Sequence, residues 1–390
     1  MKIGIVTLFG LNNYGNRLQN YAVQQVVRSL GFEAVTFPTS EFVPSKRERL
    51  ENVLRRSIPY ILHIVHSKLS GLVLKAFNRE RDNGETIEQP DATLAILLTG
   101  RESTFAAFNR KYIQCSSVDH MNKVVREELA KEYHCFIVGS DQVWSSQMGL
   151  IDPFRFLQFV EPRKRVAFSA SFGTSTLPKY YHRYYRKGIS DMGYVSVRED
   201  DGKQIVHALT GRNSTLLIDP TMMLTKEDWR AIVEKPANKP NYPYLLLFFL
   251  GEIGNNTKLL IDSVSKNMGL TVVSLNDPLD HERFVIPPDQ FVDFVDSASF
   301  IITDSFHGTA FSIIFEKPFI VCDRKGNTPS MKSRIDTLLN KFGLLDRHED
   351  RFSLSTYYES PDFSMLKSLL EREQLYAIQF LKEALTSRTK

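Results

Sequence analysis

The length, composition and charge of this chain predict a soluble globular protein with two or three domains. Its 390 residues are more than one hydrophobic core usually holds, and 42% of them are apolar and 24% charged. A net charge of +4 is compatible with anionic substrates but is far smaller than the excess found in nucleic-acid-binding proteins. The bulk numbers therefore argue against a nucleic-acid partner.

The cysteines and the hydropathy of the chain predict its compartment. Cys115, Cys135 and Cys322 are far apart and form no CxxC or Cys/His pattern, so we expect no metal site and a reducing environment. Residues 1–11 lead into a polar loop without a cleavage site, which is typical of a first strand rather than a signal peptide. No apolar run reaches the roughly 18 residues of a membrane span. We expect a cytoplasmic protein, with peripheral contact at the inner membrane face left open.

The amino-terminal segment has the pattern of a β-α-β unit. An apolar run at residues 2–9 predicts a strand, a polar loop follows, and apolar residues at helical spacing precede a second strand at 33–37. The loop lacks GxGxxG spacing, so it does not indicate a dinucleotide site. Its Asn13, Gly15, Asn16 and Arg17 lie at the carboxyl end of a strand, where hydrogen-bonding amides suit a ligand with several hydroxyl groups. A plain turn and helix cap is an equally good interpretation.

Residues 45–82 are basic, with apolar residues at helical spacing. This pattern favours a packed helical hairpin over contact with a membrane or a lipid-linked substrate. Residues 102–112 predict a further helix.

Strands are predicted next at 134–138, 165–169, 194–197 and 216–218, and polar side chains follow them. Asp141 could act as a general base, bind a sugar hydroxyl or merely cap a turn. Trp144 could stack on a sugar or belong to the core. Arg198 could bind a carboxylate or phosphate, or form a salt bridge with the acids beside it.

A linker with three prolines at residues 234–243 separates a second α/β half. Strands are predicted there at 244–250, 271–274 and 300–302, and a long helix at 365–385. We therefore predict two Rossmann-like domains facing across a cleft, spanning residues 1–235 and 242–390, with a helical insertion at about 45–115 in the first.

The stretch around His307 is the strongest local signal. A strand at 300–302 ends in cap residues, including Asp304, which we expect to be an N-cap, and Gly308 precedes an apolar helix at 310–315. This order puts His307 at the carboxyl end of a strand, beside the positive end of a helix, where α/β sheets bind anions. A buried histidine that only satisfies backbone groups is the competing interpretation.

Five motifs together resemble one known family. They are Asn13-Tyr14-Gly15-Asn16-Arg17-Leu18-Gln19, Gly139-Ser140-Asp141-Gln142-Val143-Trp144, Ser196-Val197-Arg198-Glu199, Asp219-Pro220-Thr221 and Thr303-Asp304-Ser305-Phe306-His307-Gly308. In this order they resemble the polysaccharide pyruvyl transferase family over nearly the whole chain. The resemblance implies a GT-B-like fold and transfer of a pyruvyl group from phosphoenolpyruvate to two hydroxyls of a sugar, with no cofactor.

The resemblance also implies roles for individual residues. His307 would be the acid or acid/base, Asp141 the base or a carboxylate that binds the acceptor, and Arg198 an anion clamp. The acceptor, a saccharide or lipid-linked saccharide, would meet Asn13, Asn16 and Gln19. Ser305 and Gly308 would also contact substrate. Several family members have arginine where this chain has Ser305. Either the helix end together with Arg334 or Arg324 would supply the missing charge, or the donor is not phosphoenolpyruvate.

Two other functions fit the same pattern. One is a GT-B glycosyltransferase that uses a nucleotide sugar, against which the lack of a nucleotide fingerprint argues. The other is a glycan-binding protein without catalysis. The acceptor sugar and the oligomeric state do not follow from the sequence.

Overall fold

The computed structural model describes residues 1–10, 12–39, 92–118, 122–146, 153–325, 332–351 and 361–386. The hairpin predicted within residues 45–82 lies outside these ranges. Strands and helices are numbered below in chain order over the described residues.

The first half of the chain forms a six-stranded sheet in which all neighbouring strands are parallel. Its strands are β1 (Lys2–Thr7), β2 (Glu33–Pro38), β3 (Cys135–Val138), β4 (Arg165–Ala170), β5 (Tyr194–Val197) and β6 (Thr215–Leu216). They lie in the order β2-β1-β3-β4-β5-β6. The helices are α1 (Tyr14–Ser29), α2 (Ala92–Tyr112), α3 (Lys123–Glu132), α4 (Lys179–Ile189), α5 (Asp200–Thr210) and α6 (Lys226–Arg230).

The second half forms a four-stranded parallel sheet in the order β10-β9-β7-β8. Its strands are β7 (Tyr244–Phe248), β8 (Thr271–Leu275), β9 (Phe300–Thr303) and β10 (Phe319–Val321). Its helices are α7 (Asn255–Met268), α8 (His281–Phe284), α9 (Pro288–Ser297), α10 (Phe306–Ile314), α11 (Lys332–Lys341) and α12 (Phe363–Thr386). Two parallel α/β sheets confirm the predicted pair of Rossmann-like halves.

Burial follows from the apolar composition of the strands. Every residue of β3, β7 and β9 is buried, as expected for parallel strands covered on both faces by helices. Parallel strands also align their carboxyl ends on one edge, which brings together the polar residues that follow them. That edge carries the candidate site.

Helix α12 returns to the first half of the chain. Its Gln374 side chain donates to the Met222 carbonyl at 2.8 Å, and its Phe380 ring stacks on Phe168 at a centroid distance of 6.4 Å. The domain bounds 1–235 and 242–390 stay predictions. Within the described ranges, no helix has the length and apolar character needed to cross a membrane.

Tyr14, the first residue of α1, joins the two halves through ring packing. Its ring stacks on Phe291 of α9 with a centroid distance of 4.5 Å, and it also contacts Phe105 and Phe248. Its hydroxyl donates to the carbonyl of Ile286 at 3.2 Å. Aromatic burial of this kind is among the larger single contributions to a core.

We expect Tyr14→Ala to lower the free energy of unfolding by about 3–5 kcal/mol, because it removes a buried ring from this contact. Tyr14→Phe, which keeps the ring and loses one hydrogen bond, should cost about 1 kcal/mol. Urea denaturation of both variants measures the difference. Equal losses would show that the ring packing contributes nothing.

Candidate active site

The predicted site residues of the two halves meet at the carboxyl edges of the sheets. Asp141 follows β3, Arg198 follows β5 and Asp219 lies just beyond β6, all in the first half. His307 is the second residue of α10, just after β9 in the second half. Contacts between these four side chains define the candidate site.

Arg198 is fully buried and surrounded by carboxylates. Its Nη1 donates to Asp219, its Nη2 donates to Asp141 Oδ1 at 3.0 Å, and its Nε lies 4.0 Å from Glu199 Oε2. Its guanidinium also lies 4.4 Å from the Phe306 ring centroid. Of the acids beside Arg198 in the sequence, only Glu199 is in reach, at 4.0 Å, and the closer partners Asp141 and Asp219 are distant in sequence. Together these carboxylates hold Arg198 in one orientation.

Asp219 links the two halves of the site. Its Oδ2 accepts from Ser140 Oγ at 3.0 Å and lies 3.9 Å from His307 Nε2, while its Oδ1 accepts from the Thr221 backbone N–H at 3.0 Å. Burial alone would raise the pKa of this carboxyl, but the Arg198 guanidinium outweighs burial and holds the pKa below its ordinary value. Asp219 is therefore ionised at neutral pH.

His307 presents a buried imidazole to this carboxylate. Its Nε2 has no hydrogen-bond partner among the described residues. Burial lowers the pKa of His307, and the nearby Asp219 and Asp141 charges only partly oppose that shift. The imidazole is therefore neutral at pH 7, with one ring nitrogen available to a ligand.

Gly15 of α1 touches His307 across the two halves. A Cβ placed on Gly15 would lie 2.0 Å from His307 Nδ1, closer than any side-chain contact tolerates. Glycine is therefore required here so that the first turn of α1 can pass against the imidazole. The Gly15 motif and the His307 motif are parts of one site.

Arg334 of α11 adds a second buried cation. Once the Gln142 side-chain oxygen is turned toward Arg334, it accepts from both Nη atoms at 2.5 Å. Burial, followed by the Arg198 charge, lowers the pKa of Arg334 to about 9. Burial also raises the pKa of Glu199, whose Oε1 accepts from the Phe172 backbone N–H at 2.7 Å. The cluster therefore combines two guanidinium groups, Arg198 and Arg334, with the three carboxyl groups of Asp141, Asp219 and Glu199.

The predicted residues of the first loop lie beside this cluster in different environments. Asn13 caps α1 by accepting from the Asn16 N–H at 3.3 Å, and the Asn16 side chain donates to the Gly10 carbonyl at 3.3 Å. Gln19 is fully buried, and its side-chain oxygen accepts from the Ser140 N–H at 3.2 Å. Asn13 is therefore a helix cap, and Gln19 positions the turn that follows β3.

The helix after β9 begins at Phe306, earlier than residue 310 where the sequence placed it. Ser305, not Asp304, is its N-cap and accepts from the Gly308 N–H at 3.3 Å. Asp304 instead accepts from the Leu250 N–H at 2.8 Å, which corrects the expected cap role. A Cβ on Gly308 would meet Thr303 Oγ1 at 2.4 Å, so this glycine permits close helix–strand packing.

Trp144 was predicted either to stack on a sugar or to belong to the core, and three residues of the site were not predicted as site residues. Trp144 is fully buried and donates to the Arg155 carbonyl at 3.2 Å, so it belongs to the core. The sequence predicted no site role for Asp219 or Ser140, and it predicted Glu199 only as an alternative salt-bridge partner of Arg198. Each stands at a strand end in a quoted motif, and that position was the available signal.

A separate cluster on the second half contains Asp323, His348 and Asp350, whose potential ligand atoms lie within 4.8 Å of one another. The Lys332 ammonium lies 3.7 Å from Asp323 and 3.9 Å from Asp350. A lysine thus already places positive charge beside both carboxylates, and the cluster gives no reason to add a metal ion.

We expect Gly15→Ala to destabilise the protein by about 1–3 kcal/mol, the usual cost of overpacking, although alanine is the better helix former. The added methyl group must displace the imidazole of His307. Urea denaturation and the histidine NMR spectrum measure both effects. Gly100→Ala in α2, whose Cβ would lie 3.3 Å from Val285, is the milder control. An unmoved His307 signal would contradict the packing.

We expect the free energy of unfolding of Glu199→Gln to rise relative to that of wild type as the pH rises from about 4 to about 7. The raised pKa means that the folded state binds more protons than the unfolded chain in this window, so wild-type stability falls as Glu199 ionises. Glutamine keeps an acceptor for the Phe172 N–H and does not ionise. Denaturation curves across this window test the prediction, which fails if the two proteins keep a constant difference.

Comparison with known proteins supplies the family. The sequence model of the polysaccharide pyruvyl transferases matches residues 13–326. No curated protein matches the chain. Among solved structures, a putative UDP-N-acetylglucosamine 2-epimerase from Listeria monocytogenes is 12% identical with a TM-score of 0.47, covering 100% of this chain and 98% of that one.

The glycosyltransferase SsfS6 from Streptomyces sp. SF2575, complexed with thymidine diphosphate, is 11% identical with a TM-score of 0.41, covering 98% of this chain and 99% of that one. Similarities this low say nothing about what the chain binds. The family match is of a different order, since it spans most of the chain and includes the motifs that form the His307 and Arg198 cluster. The chain belongs to the polysaccharide pyruvyl transferase family and is a transferase.

Proposed function

We propose that the protein transfers a pyruvyl group from phosphoenolpyruvate to two hydroxyls of a sugar in a surface polysaccharide or its precursor, forming a ketal. The observation that carries the proposal is the buried cluster in which His307, Asp219 and Arg198 share one carboxylate oxygen. Family membership supports the same reaction class.

The reaction sets clear chemical requirements. Protonation of the C3 methylene of phosphoenolpyruvate gives a methyl group and makes C2 electrophilic. One sugar hydroxyl then attacks C2 and loses its proton, phosphate leaves, and a second hydroxyl attacks with loss of its proton to close the ketal. The products are the ketal and inorganic phosphate. The site must therefore supply an acid, a base and positive charge.

His307 is the proposed acid. Its imidazole is neutral when no donor is bound, because burial lowers its pKa. A donor carrying several negative charges would raise that pKa and favour the protonated form. Binding of the donor would thus load the proton that the reaction needs, beside the Asp219 carboxylate that lies 3.9 Å from Nε2.

Asp141 is the proposed base or acceptor-binding carboxylate. It is 8% exposed, whereas Asp219 is 1% exposed, so of these two carboxylates Asp141 is the one a sugar hydroxyl could reach. One of its oxygens accepts from Arg198 Nη2 at 3.0 Å, which fixes the direction of the carboxylate. Asn13, Asn16 and Gln19 remain the predicted acceptor side, although Gln19 already uses its oxygen internally.

Arg334 is the proposed cation for the donor. Arg198 is paired with Asp141 and Asp219, whereas Arg334 lies buried at the same cluster and donates to the neutral side-chain oxygen of Gln142 once that amide is turned. The amino end of α10, with Ser305 and Gly308 in its first turn, adds partial positive charge. Arg324 is less suited, because its Nε lies 3.3 Å from Asp304. An uncharged residue at position 305, here Ser305, is therefore compatible with an anionic donor.

The remaining parts of the proposal concern partners and place. The acceptor would be a saccharide or lipid-linked saccharide, with no cofactor and no nucleic acid. A cytoplasmic location, with peripheral contact at the inner face of the membrane, stays an expectation.

We expect the wild-type protein to release phosphate from phosphoenolpyruvate when supplied with suitable sugar acceptors. His307→Ala should lower kcat by about 10²- to 10⁴-fold, the usual contribution of an acid catalyst, and Arg334→Gln should mainly raise the KM for phosphoenolpyruvate. His207→Ala and Arg183→Gln, which change exposed residues of α5 and α4, are matched controls.

The competing functions give different results in the same experiments. A nucleotide-sugar glycosyltransferase would be stabilised against heat by nucleoside diphosphates and not by phosphoenolpyruvate. A glycan-binding protein would bind sugars and release no phosphate from any acceptor in the panel. Either outcome would overturn the pyruvyl transfer.

A further inference from the structure

Arg17, in the first turn of α1, is a buried arginine with no carboxylate partner among the described residues. It is 4% exposed, and its Nε has no hydrogen-bond partner in the described part of the chain. Its Nη1 donates to the Gly10 carbonyl at 3.4 Å, and its guanidinium lies 4.6 Å from the Phe9 ring centroid and 5.7 Å from that of Phe105. Aromatic rings and one carbonyl oxygen only partly replace the water that burial removed.

Two other buried arginines have better compensation. Arg198 is paired with carboxylates, and Arg101, also 4% exposed, donates to the backbone carbonyls of Asn12 at 3.2 Å and Phe284 at 2.7 Å. Arg17 has one long hydrogen bond to the part of the chain that the structure describes. Consistently, burial lowers its pKa to about 10.

The position of Arg17 in the helix makes this charge more unusual. α1 has 16 residues, and its first turn contains no acidic side chain. The amino end of a helix carries partial positive charge and favours anions, so a buried cation there costs stability unless an anion accompanies it. The charge, the helix end and the unpartnered Nε all favour a negatively charged ligand.

The ligand's place relative to the reaction follows from helix geometry. Gly15, two residues before Arg17, packs against the His307 imidazole. Two residues correspond to about 3 Å along the axis and about 200° of rotation, so Arg17 points to a different side of α1 from the catalytic imidazole. An anion at Arg17 would therefore be distinct from the donor beside Arg334.

We propose that Arg17 binds a phosphate or carboxylate group of the acceptor, so that the enzyme selects sugars that carry a negative charge. The proposal rests on the pyruvyl transfer inferred above and adds the chemical class of the acceptor. Sugar phosphates and uronic acids share the required chemistry.

Isothermal calorimetry with matched sugars tests the proposal. The probes are glucose, glucose 1-phosphate and glucuronic acid, together with N-acetylglucosamine and its 1-phosphate. Wild type should bind at least one charged sugar ten or more times tighter than its neutral parent. Arg17→Gln should abolish that preference, and Arg17→Lys should keep part of it. Which charged sugar is preferred separates phosphate from carboxylate.

Two further variants locate the effect. Arg28→Gln, at the opposite end of α1, should leave the preference intact. Arg334→Gln should also leave it intact, because it changes the proposed donor cation and not the acceptor side. Loss of the preference in Arg334→Gln would place the sugar anion in the donor position and overturn the assignment to Arg17.

The remaining outcomes also decide the matter. A wild-type protein without preference for any charged sugar overturns the proposal, as does a preference that survives Arg17→Gln. If Arg17→Gln does not fold, Arg17→Lys and the wild-type measurement still decide it. Failure of phosphate release from phosphoenolpyruvate would reject the pyruvyl transfer and leave the binding preference measurable, so the two failures are distinguishable.

Discussion

The buried guanidinium of Arg198 is the interaction on which the site depends. Asp141, Asp219 and Glu199 come from different strand ends, and each would be costly to bury as an anion alone. One cation at their centre makes their burial tolerable and fixes their directions. The same cation keeps Asp219 ionised, and Asp219 in turn faces His307. The electrostatic environment of the imidazole is thus set from the other half of the molecule.

The contact between the two halves and the geometry of the site are a single feature. Tyr14 stacks on Phe291 of the second half, and the next residue, Gly15, lies directly against His307. A movement of α1 relative to α10 would disturb both contacts together. Packing energy from an aromatic cluster therefore helps to hold the imidazole near the carboxylates.

The sequence predicted which residues lie at the carboxyl edges of the sheets better than it predicted which of these residues contact one another. Apolar runs followed by polar residues placed Asp141, Arg198 and His307 at strand ends, because parallel strands share one edge. Local patterns could not show that Asp219 would accept from Ser140, which lies 79 positions away, or that Trp144 would face the core. Such pairings depend on which long-range neighbours the fold supplies.

Arg198 and Arg17 show why a buried cation has to be interpreted from its surroundings. Both lie at the carboxyl edge of the first sheet and both are nearly inaccessible to water. Arg198 is neutralised by carboxylates of the chain, so its charge is used within the protein. Within the described ranges Arg17 has aromatic rings and a carbonyl around it, and we therefore propose that its charge serves a ligand. Since desolvation of a guanidinium is costly, a fold that buries one without an anion gains most when a ligand brings that anion.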